Sequence, residues 1–168
     1  MSSHSIRVAV ALGSNVGDRA AHLDFAAARL SRFIATLKVS TWYETEPVGI
    51  GTAEAVPYGT VNLFLNGAAA GETTLSARAL LDALLALELE RGRERPFAGA
   101  PRTLDLDLVL FGDAVMNEPG LIVPHPRFRE RRFVLEPLAE IAPEMIDPVT
   151  ALTVRQLLRA LTLPAGRT

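Results

Sequence analysis

Alternation between apolar and polar positions divides the chain into strands and helices. Residues 6–12 alternate apolar side chains with smaller or polar ones, which predicts a first strand. This strand leads into GSNVGDR (13–19), a loop in which Asp18 can cap a helix. A first helix is predicted next, because apolar residues recur at helical spacing at Leu23, Ala27, Leu30 and Ile34.

The following segments show the same two kinds of pattern. LKVSTWYET (37–45) is rich in β-branched and aromatic residues and predicts a second strand. A connection that contains Gly and Pro leads into VNLFLNGAAA (61–70), which predicts a third strand. Ser76 can cap a second helix, which ends before Gly92 and has an apolar stripe of Leu80, Leu84 and Leu87.

RTLDLDLVLFG (102–112) predicts a fourth strand and completes the order β-α-β-β-α-β. This is the ferredoxin-like order, so we expect an α+β fold with a mostly antiparallel sheet and a C-terminal extension. The extension contains a VPHP turn, short helical pieces and a last amphipathic helix, in which Thr153 and Gln156 have capping-box spacing. The sequence has no internal repeat or linker and predicts a single domain over residues 1–168.

The fourth strand carries two carboxylates on one face. Alternation separates one face with Asp105, Asp107, Val109 and Phe111 from another with Leu104, Leu106, Leu108 and Leu110. The two acids are roughly 6.6 Å apart, because a strand rises about 3.3 Å per residue. At an effective dielectric constant of about 20 they repel by roughly 2.5 kcal/mol, a cost that a bound cation would remove. The alternative is that both acids simply form the solvated face of an antiparallel strand.

The composition excludes several classes of function. The chain has 17 basic and 19 acidic residues, a net charge of −2, which argues against general attraction to nucleic acids or membrane surfaces. Without cysteine there is neither a disulfide framework nor thiolate chemistry. The apolar run at 8–12 is too short for a signal peptide, and Gly and Pro interrupt the apolar stretch at 56–71. We therefore expect a soluble cytoplasmic protein.

Arginine dominates the basic residues. It supplies 16 of the 17, and eight of these lie between residues 91 and 132, on both sides of the aspartate strand. Genomic base composition or a solvated charged surface would explain the bias, yet arginine also suits forked contacts with phosphate oxygens. Arginines around an acid pair favour a polyphosphate bound through divalent metal, since two carboxylates can hold Mg²⁺ and leave positions for phosphate oxygens. The sequence lacks the common phosphate-binding loop with its lysine.

Two ionisable residues have both a structural and a functional interpretation. Glu88 lies on the apolar stripe of the second helix, and a buried carboxylate needs a partner. A salt bridge to Arg91 or to a loop arginine is the simpler explanation, and direct contact with a ligand is the alternative. His125 lies in the VPHP turn, where a lone histidine is more often structural than catalytic.

Aromatic residues on two predicted elements allow a similar choice. Phe64 and Phe133 would ordinarily belong to the core. Asn66 follows Phe64 by two positions and therefore shares its strand face, which puts an amide beside an aromatic ring. That pairing suits a flat heterocycle that is rich in hydrogen-bonding groups.

Longer motifs connect the sequence to a known family. PRTLDLDLVLFG, followed by VPHPRFRERRFVLEPLAEIAPE, closely resembles the 6-hydroxymethyl-7,8-dihydropterin pyrophosphokinases, enzymes of folate biosynthesis. ALGSN near the N-terminus and YETEPVG at 43–49 match the same family. The resemblance spans nearly the whole chain.

The resemblance implies a reaction and its cofactors. The β,γ-pyrophosphoryl group of ATP would be transferred to the hydroxymethyl group of the pterin, with release of AMP. Asp105 and Asp107 would hold two Mg²⁺ ions that bridge the triphosphate of the ATP co-substrate. The partners would be these two small molecules, without nucleic acid or membrane, and the protein would be a monomer.

The resemblance also implies roles for individual residues. The catalytic group would consist of Arg93, Arg102, Asp105 and Asp107. The pterin would be bound by Thr45, Val48, Phe64, Asn66 and Phe133, with the two aromatic rings on either side of it. ATP would be bound by Arg95, Leu108, His125 and Arg131.

Two loops depart from the family pattern. PFAGAPRT (96–103) lacks the basic residue and the tryptophan that usually precede the motif, although Phe97 can replace the aromatic ring. The segment 50–63 is longer than usual on the pterin side. These differences concern loop residues and leave the implied reaction unchanged.

A rival interpretation belongs to another class of protein, because ferredoxin-like domains also serve as RNA-binding or ligand-sensing modules. An RNA reader of this type would carry the K/R-G-F/Y-G/A-F-V-x-F/Y motif on a central strand, whereas TLDLDLVLF presents acids. A module that senses a nucleotide or a pterin without turnover is the alternative to an enzyme. Only the enzyme would form AMP from Mg-ATP and the pterin alcohol.

Overall fold

A central antiparallel sheet with helices on both faces makes up the computed structural model, which describes residues 4–45, 63–92 and 103–162. Its strands are β1 (Ile6–Ser14), β2 (Ala35–Val39), β3 (Tyr43–Thr45), β4 (Phe64–Thr73) and β5 (Asp105–Phe111). Their order is β2-β4-β1-β5, and β3 also pairs with β4. All of these pairs are antiparallel, so the predicted α+β, ferredoxin-like core is confirmed.

The helices form one layer on each side of the sheet. Helices α1 (Arg19–Leu30) and α2 (Ala77–Glu90) cover one face, and α3 (Arg132–Ile141) and α4 (Val154–Thr162) cover the other. Between β5 and α3 lie a hairpin of β6 (Met116–Glu118) and β7 (Leu121–Val123) and a short 3-10 helix (Phe128–Glu130). None of the helices in the described ranges is long and apolar enough to cross a membrane.

Strand β1 separates two hydrophobic clusters. Its residues Val8, Val10 and Leu12 face α1 and α2, where they pack with Leu23, Leu30, Leu80 and Leu84. The intervening Ala9 and Ala11 face the other way, together with Ala68 and Ala70 of β4, towards Phe128, Val134, Leu135 and Leu138. The alanine side chains leave room for α3 to pack against the sheet. The C-terminal extension therefore buries the second face of the core.

The predicted caps are present. Asp18 and Ser76 each accept a hydrogen bond from the backbone N–H three residues further on, both at 3.1 Å. Thr153 and Gln156 bond reciprocally, with 3.2 Å from the Gln156 N–H to Thr153 Oγ1 and 2.8 Å from the Thr153 N–H to Gln156 Oε1. Gly92 follows α2 with a φ of +76°, a conformation that favours glycine.

The single second strand predicted over 37–45 is wrong, because two strands replace it. Strands β2 and β3 both pair with β4 and are interrupted at residues 40–42. At the interruption the Ser40 hydroxyl accepts a hydrogen bond from the Ala68 N–H at 2.9 Å. Trp42 packs directly on Gly67, where an added Cβ would come within 2.3 Å of the indole ring. The chain leaves the regular ladder to make room for this ring.

Two element boundaries also differ from the predictions. Helix α1 ends at Leu30, and Ile34 lies beyond it as a buried residue whose N–H donates to the Leu30 carbonyl at 2.9 Å. The third strand, predicted over 61–70, continues to Thr73. Residues 61 and 62 lie outside the described ranges.

The face assignment of β5 is correct up to Val109 and wrong at Leu110 and Phe111. Val10 of β1 pairs with Leu108 and Ala9 pairs with Leu110, so Val109 is the extra residue of a β-bulge. The bulge reverses the alternation, which puts Leu110 in the cluster under α3 and Phe111 in the cluster under α1 and α2. Alternation alone cannot reveal a bulge, since a bulge is defined by the register with the partner strand.

Candidate active site

Asp105 and Asp107 lie at the beginning of β5, opposite two small residues of β1. Asp105 pairs with Gly13, and Asp107 pairs with Ala11. Cross-strand partners share a face of the sheet, so both carboxylates lie on the Ala11 face, which α3 and α4 cover further along. Both aspartates are half-buried. The prediction that the two acids share one face is confirmed.

Between the two acids, Leu106 points to the opposite core and is buried. Its backbone N–H donates a hydrogen bond of 3.0 Å to Oε2 of Glu88, near the end of α2. Glu88 is only 1% exposed, so its predicted burial is confirmed. One partner of its carboxylate is thus a main-chain amide of the aspartate strand, a contact that the sequence did not indicate.

His125 is anchored to β5 through its own backbone, because its N–H donates to the Val109 carbonyl at 2.9 Å. Its Nδ1 accepts a hydrogen bond of 3.1 Å from the Arg127 N–H, so the neutral ring carries its proton on Nε2. Burial lowers the pKa of His125, as do the charges of Arg131 and Arg127, while Asp105 partly opposes the shift. The structure therefore brings His125 into the electrostatic range of Asp105 and Arg131, with an Nε2–H available to an anion.

Arg131 directly precedes α3. Its guanidinium lies over the ring of Phe133, 5.5 Å from the centroid. Its Nε is buried and makes no hydrogen bond within the described part of the chain. Buried donors are nearly always paired in folded proteins, so a ligand oxygen at this position would satisfy the Arg131 N–H.

Asn66 and Phe64 of β4 lie beside β1 on the same face as the aspartates. An added Cβ on Gly13 would be 3.0 Å from Asn66 Oδ1 and 3.9 Å from Phe64 Cδ1, so both side chains border this glycine. The Asn66 amide donates a short hydrogen bond to the Thr45 hydroxyl on β3. The predicted pairing of an amide and an aromatic ring on one strand face is confirmed, and Thr45 joins it.

A cavity of about 440 Å³ lies between β3 and α3. It brings together two of the residues predicted to bind the pterin, Thr45 and Phe133. Its other lining residues, which the sequence did not indicate, are Tyr43, Glu44, Arg132, Glu136 and Pro137. Glu140 holds this wall together, because it accepts hydrogen bonds from the Tyr43 hydroxyl at 2.6 Å and from the Thr41 hydroxyl at 2.7 Å.

A second cavity, of about 280 Å³, lies beside β5 and β7 and contains Asp107, Leu108 and His125. All three are among the predicted site residues. The remaining walls are Leu81, Leu106, Gly120, Leu121, Ile122 and Pro126. Sequence reasoning missed the contribution of the β6–β7 hairpin, because its packing beside β5 leaves no local pattern in the sequence.

Arg19 is another residue that the sequence did not single out. Its guanidinium donates hydrogen bonds of 2.8 Å to the Leu63 carbonyl and 2.7 Å to the Glu44 carboxylate. It therefore connects the parts of the chain that precede and follow segment 46–62. These partners are 44 and 25 residues away, which is why no local pattern predicts the contact. Four predicted residues, Val48, Arg93, Arg95 and Arg102, lie outside the described residues, and their assignments stay predictions.

The acid pair suits Mg²⁺ in its chemistry. Carboxylate oxygens are the ligands that this hard cation prefers, and it is usually held by one or two carboxylates together with substrate phosphates. Within the described ranges no three His, Cys, Asp or Glu side chains are grouped so as to hold a metal by themselves. A metal on Asp105 and Asp107 would therefore take its other ligands from phosphate, water or residues outside those ranges.

Half-buried carboxylates beside cationic and N–H donors are the arrangement with which enzymes transfer phosphoryl-type groups. The fold and the site therefore define an enzyme that transfers a phosphoryl-type group.

Comparison with known proteins identifies the family. The family model for 7,8-dihydro-6-hydroxymethylpterin-pyrophosphokinase (HPPK) matches residues 9–143. The 2-amino-4-hydroxy-6-hydroxymethyldihydropteridine pyrophosphokinase of Pseudomonas aeruginosa is 42% identical over 84% of each chain. Its Bacillus subtilis counterpart is 43% identical over 84% of this chain and 81% of its own. The chain therefore belongs to the HPPK family.

Solved structures agree with the fold. Plasmodium falciparum HPPK-DHPS aligns with 95% of this chain at a TM-score of 0.69 and 14% identity, and this chain spans 45% of that longer protein. With its family established, the chain is a pyrophosphokinase of folate biosynthesis, which uses ATP as co-substrate and acts on 6-hydroxymethyl-7,8-dihydropterin.

Proposed function

We propose that the reaction takes place over the acid pair of β5, with ATP on the His125 side and the pterin on the Asn66 side. Asp105 and Asp107 would hold two Mg²⁺ ions between the two substrates. The observation that carries the proposal is that both half-buried carboxylates lie on one face of the sheet. On the same face, the Asn66 side chain lies beside Gly13, the cross-strand partner of Asp105. Thr45 and Phe133 line the first cavity, and Asp107 and His125 line the second, which supports separate sites for the two substrates.

The second cavity is the proposed ATP site. Its apolar walls suit a flat purine. Leu108 would contact the nucleotide, and His125 would donate from Nε2 to a phosphate oxygen. The buried Nε of Arg131 supports a second phosphate contact. Arg95 would add a further charge.

The pterin would bind between β3, β4 and α3. The coupled Asn66 and Thr45 side chains present hydrogen-bonding groups at the edge of this region, which suits the edge of a pterin ring. Phe133 provides an aromatic wall in the first cavity, and Phe64 would cover the opposite face of the ring. Val48 would contribute through its backbone.

Transfer is a single displacement at phosphorus. The hydroxymethyl oxygen of the pterin forms a bond to the β-phosphorus, and the bond from this phosphorus to the oxygen of the α-phosphate breaks. AMP leaves with that electron pair, and the hydroxyl proton is released. Bound Mg²⁺ would neutralise phosphate charge, while Arg93 and Arg102 would hold the reacting group in line. His125 keeps its Nε2 proton, because it binds a phosphate oxygen through this N–H and does not act as a general acid or base.

The proposal is tested by resolving the nucleotide products after incubation with Mg-ATP and the pterin alcohol. We expect AMP and the pterin pyrophosphate in equal amounts, with neither formed when the pterin is omitted. Pterin-dependent ADP would contradict pyrophosphoryl transfer. Binding of both ligands without any product would favour the nucleotide- or pterin-sensing module instead.

We also propose that the protein acts as a monomer in the cytoplasm. Every proposed substrate contact comes from one chain, and ATP is abundant in that compartment. Sedimentation equilibrium with and without both substrates would test the oligomeric state. A mass corresponding to two chains under these conditions would contradict the monomer.

A further inference from the structure

The backbone of β5 is held from two sides where it carries the aspartates. Among the described strands, β5 lies at the edge of the sheet and pairs only with β1. In an antiparallel ladder, successive residues direct their N–H and C=O groups to opposite sides. Asp105, Leu106 and Asp107 are opposite Gly13, Leu12 and Ala11. The Leu106 N–H is bound by Glu88 at 3.0 Å, so it points away from β1. Glu88 thus occupies the place where another strand would bond.

The chemistry of Glu88 is unusual for its position. It is 1% exposed and extends a stripe of buried leucines that includes Leu84 and Leu87. Burying a carboxylate is costly, and a leucine would complete this stripe without the cost. What the carboxylate adds is a charge-assisted hydrogen bond to the strand, which is stronger than a bond to a neutral acceptor.

We propose that Glu88 is a positioning residue for the acid pair. Leu106 lies between Asp105 and Asp107, so an anchor on its N–H sets the spacing and direction of both neighbouring side chains. Two like charges at this spacing repel each other, so a fixed backbone between them limits how far their side chains can separate. Glu88 acts through the backbone and does not touch the substrates. This inference rests on the proposed assignment of Asp105 and Asp107 to metal.

Two variants separate the hydrogen bond from simple packing. Glu88→Met keeps the length of the side chain but cannot accept the Leu106 N–H, whereas Glu88→Gln keeps an acceptor without the charge. Leu84→Ala is the matched control, because it destabilises the same face of α2 one turn earlier and removes no acceptor from the Leu106 N–H.

The first readout needs neither metal nor ATP. We expect the Leu106 amide to exchange its hydrogen at least about tenfold faster in Glu88→Met than in Leu84→Ala, because only the former loses the bond. In Glu88→Gln the Leu106 amide proton resonance should move upfield, since a neutral acceptor replaces a charged one. If Glu88→Met does not fold, the Leu106 amide resonance in Glu88→Gln tests the proposal by itself. An unmoved resonance, or equal exchange in the folded variants, would overturn the proposal.

The second readout is Mg²⁺ affinity, measured by calorimetric titration in the presence of a non-hydrolysable ATP analogue. Groups that orient metal ligands typically contribute about 10–100-fold to affinity, and we expect a loss of this size for Glu88→Met and a smaller one for Glu88→Gln. Leu84→Ala should bind Mg²⁺ normally. A loss in Asp105→Asn without any loss in Glu88→Met would overturn the role of Glu88 alone. Normal affinity in Asp105→Asn would overturn the metal assignment itself, and the role of Glu88 with it.

Discussion

The side-chain amide of Asn66 donates a hydrogen bond to the Thr45 hydroxyl, which joins β4 to the short strand β3 beside the proposed pterin site. Asn66 is buried, and its Oδ1 lies against Gly13 of β1. One side chain therefore connects three strands at the place where a heterocycle edge would be read.

Replacing Asn66 with leucine should weaken pterin binding more than ATP binding. The ligand edge and the Thr45 hydroxyl would lose their partner, and a buried group left unpaired costs about 1–3 kcal/mol. This corresponds to roughly a 5–150-fold loss of affinity. Calorimetric titration with each ligand measures it. Equal losses for pterin and for an ATP analogue would indicate general damage to the core instead.

Phe133→Ala should likewise act on the pterin. The ring lines the first cavity, and an aromatic pair contributes about 0.5–1.5 kcal/mol beyond the area that it buries. Phe64→Ala should behave in the same way. Phe25→Ala is the matched control, because this half-buried ring of α1 contacts the Arg29 and Arg91 guanidinium groups rather than the site. If Phe25→Ala reduced pterin affinity as much as Phe133→Ala, the assignment of the cavity would be wrong.

Asp105→Asn and Asp107→Asn should each reduce turnover by at least roughly 10²-fold, given that metal supplies several kcal/mol of charge stabilisation in such reactions. The fold should survive, because both side chains are only half-buried and belong to neither hydrophobic cluster. Turnover at saturating Mg²⁺ and thermal unfolding without Mg²⁺ are the two measurements. Near-normal turnover in either variant would contradict the two-metal assignment.

His125 should make stability depend on pH. Burial and the nearby Arg131 charge lower the pKa of His125 in the folded state, so the unfolded state binds the proton more tightly. The resulting stability is present above the ordinary pKa of 6.5 and declines as pH falls below it, towards the lowered folded pKa. In His125→Asn an amide oxygen can accept the Arg127 N–H without titrating. Denaturant unfolding from pH 7 to 5 should show a steeper decline in the wild type, and parallel curves would contradict this.

Asp147 should be essential to the C-terminal extension. Its buried carboxylate accepts 2.5 Å and 2.9 Å hydrogen bonds from Arg129. Burial alone would raise the pKa of Asp147, but hydrogen bonds from Arg129, Thr150 and the Val149 N–H lower it. The pair therefore stabilises the fold above the ordinary carboxyl pKa of 3.8, and this contribution is lost as pH falls through the lowered folded value.

Asp147→Asn removes the charge that pairs with the partly exposed Arg129 and should cost about 1–3 kcal/mol, the range for leaving a polar group without its partner. Denaturant unfolding at pH 7 measures the loss. Glu144→Gln is the control, since it removes an exposed ion pair with Arg155 and should have little effect. Equal stabilities of the two variants would show that the buried pair is not important.

Local features of the chain were open to prediction because they depend on neighbours a few positions away. The caps at Asp18, Ser76 and Thr153 formed as expected, since each side chain bonds the backbone three residues further on. The alternation that puts Asp105 and Asp107 on one face is equally local. The residue patterns alone indicated only two classes of ligand, a polyphosphate and a flat heterocycle. The reaction itself was implied by the family resemblance.

Tertiary contacts decided the rest. The bulge at Val109 reverses the faces of Leu110 and Phe111 because register with β1, rather than the strand's own pattern, determines where an extra residue fits. The break between β2 and β3 depends on Trp42 packing over Gly67, 25 positions later. Glu88 was correctly expected to be buried, but its bond to the Leu106 N–H exists only because α2 packs against β5. The sequence by itself determined which residues have the side chains that the reaction needs. The packing of distant elements decided how these side chains are positioned, because hydrogen-bond partners that are far apart in sequence leave no periodic signal.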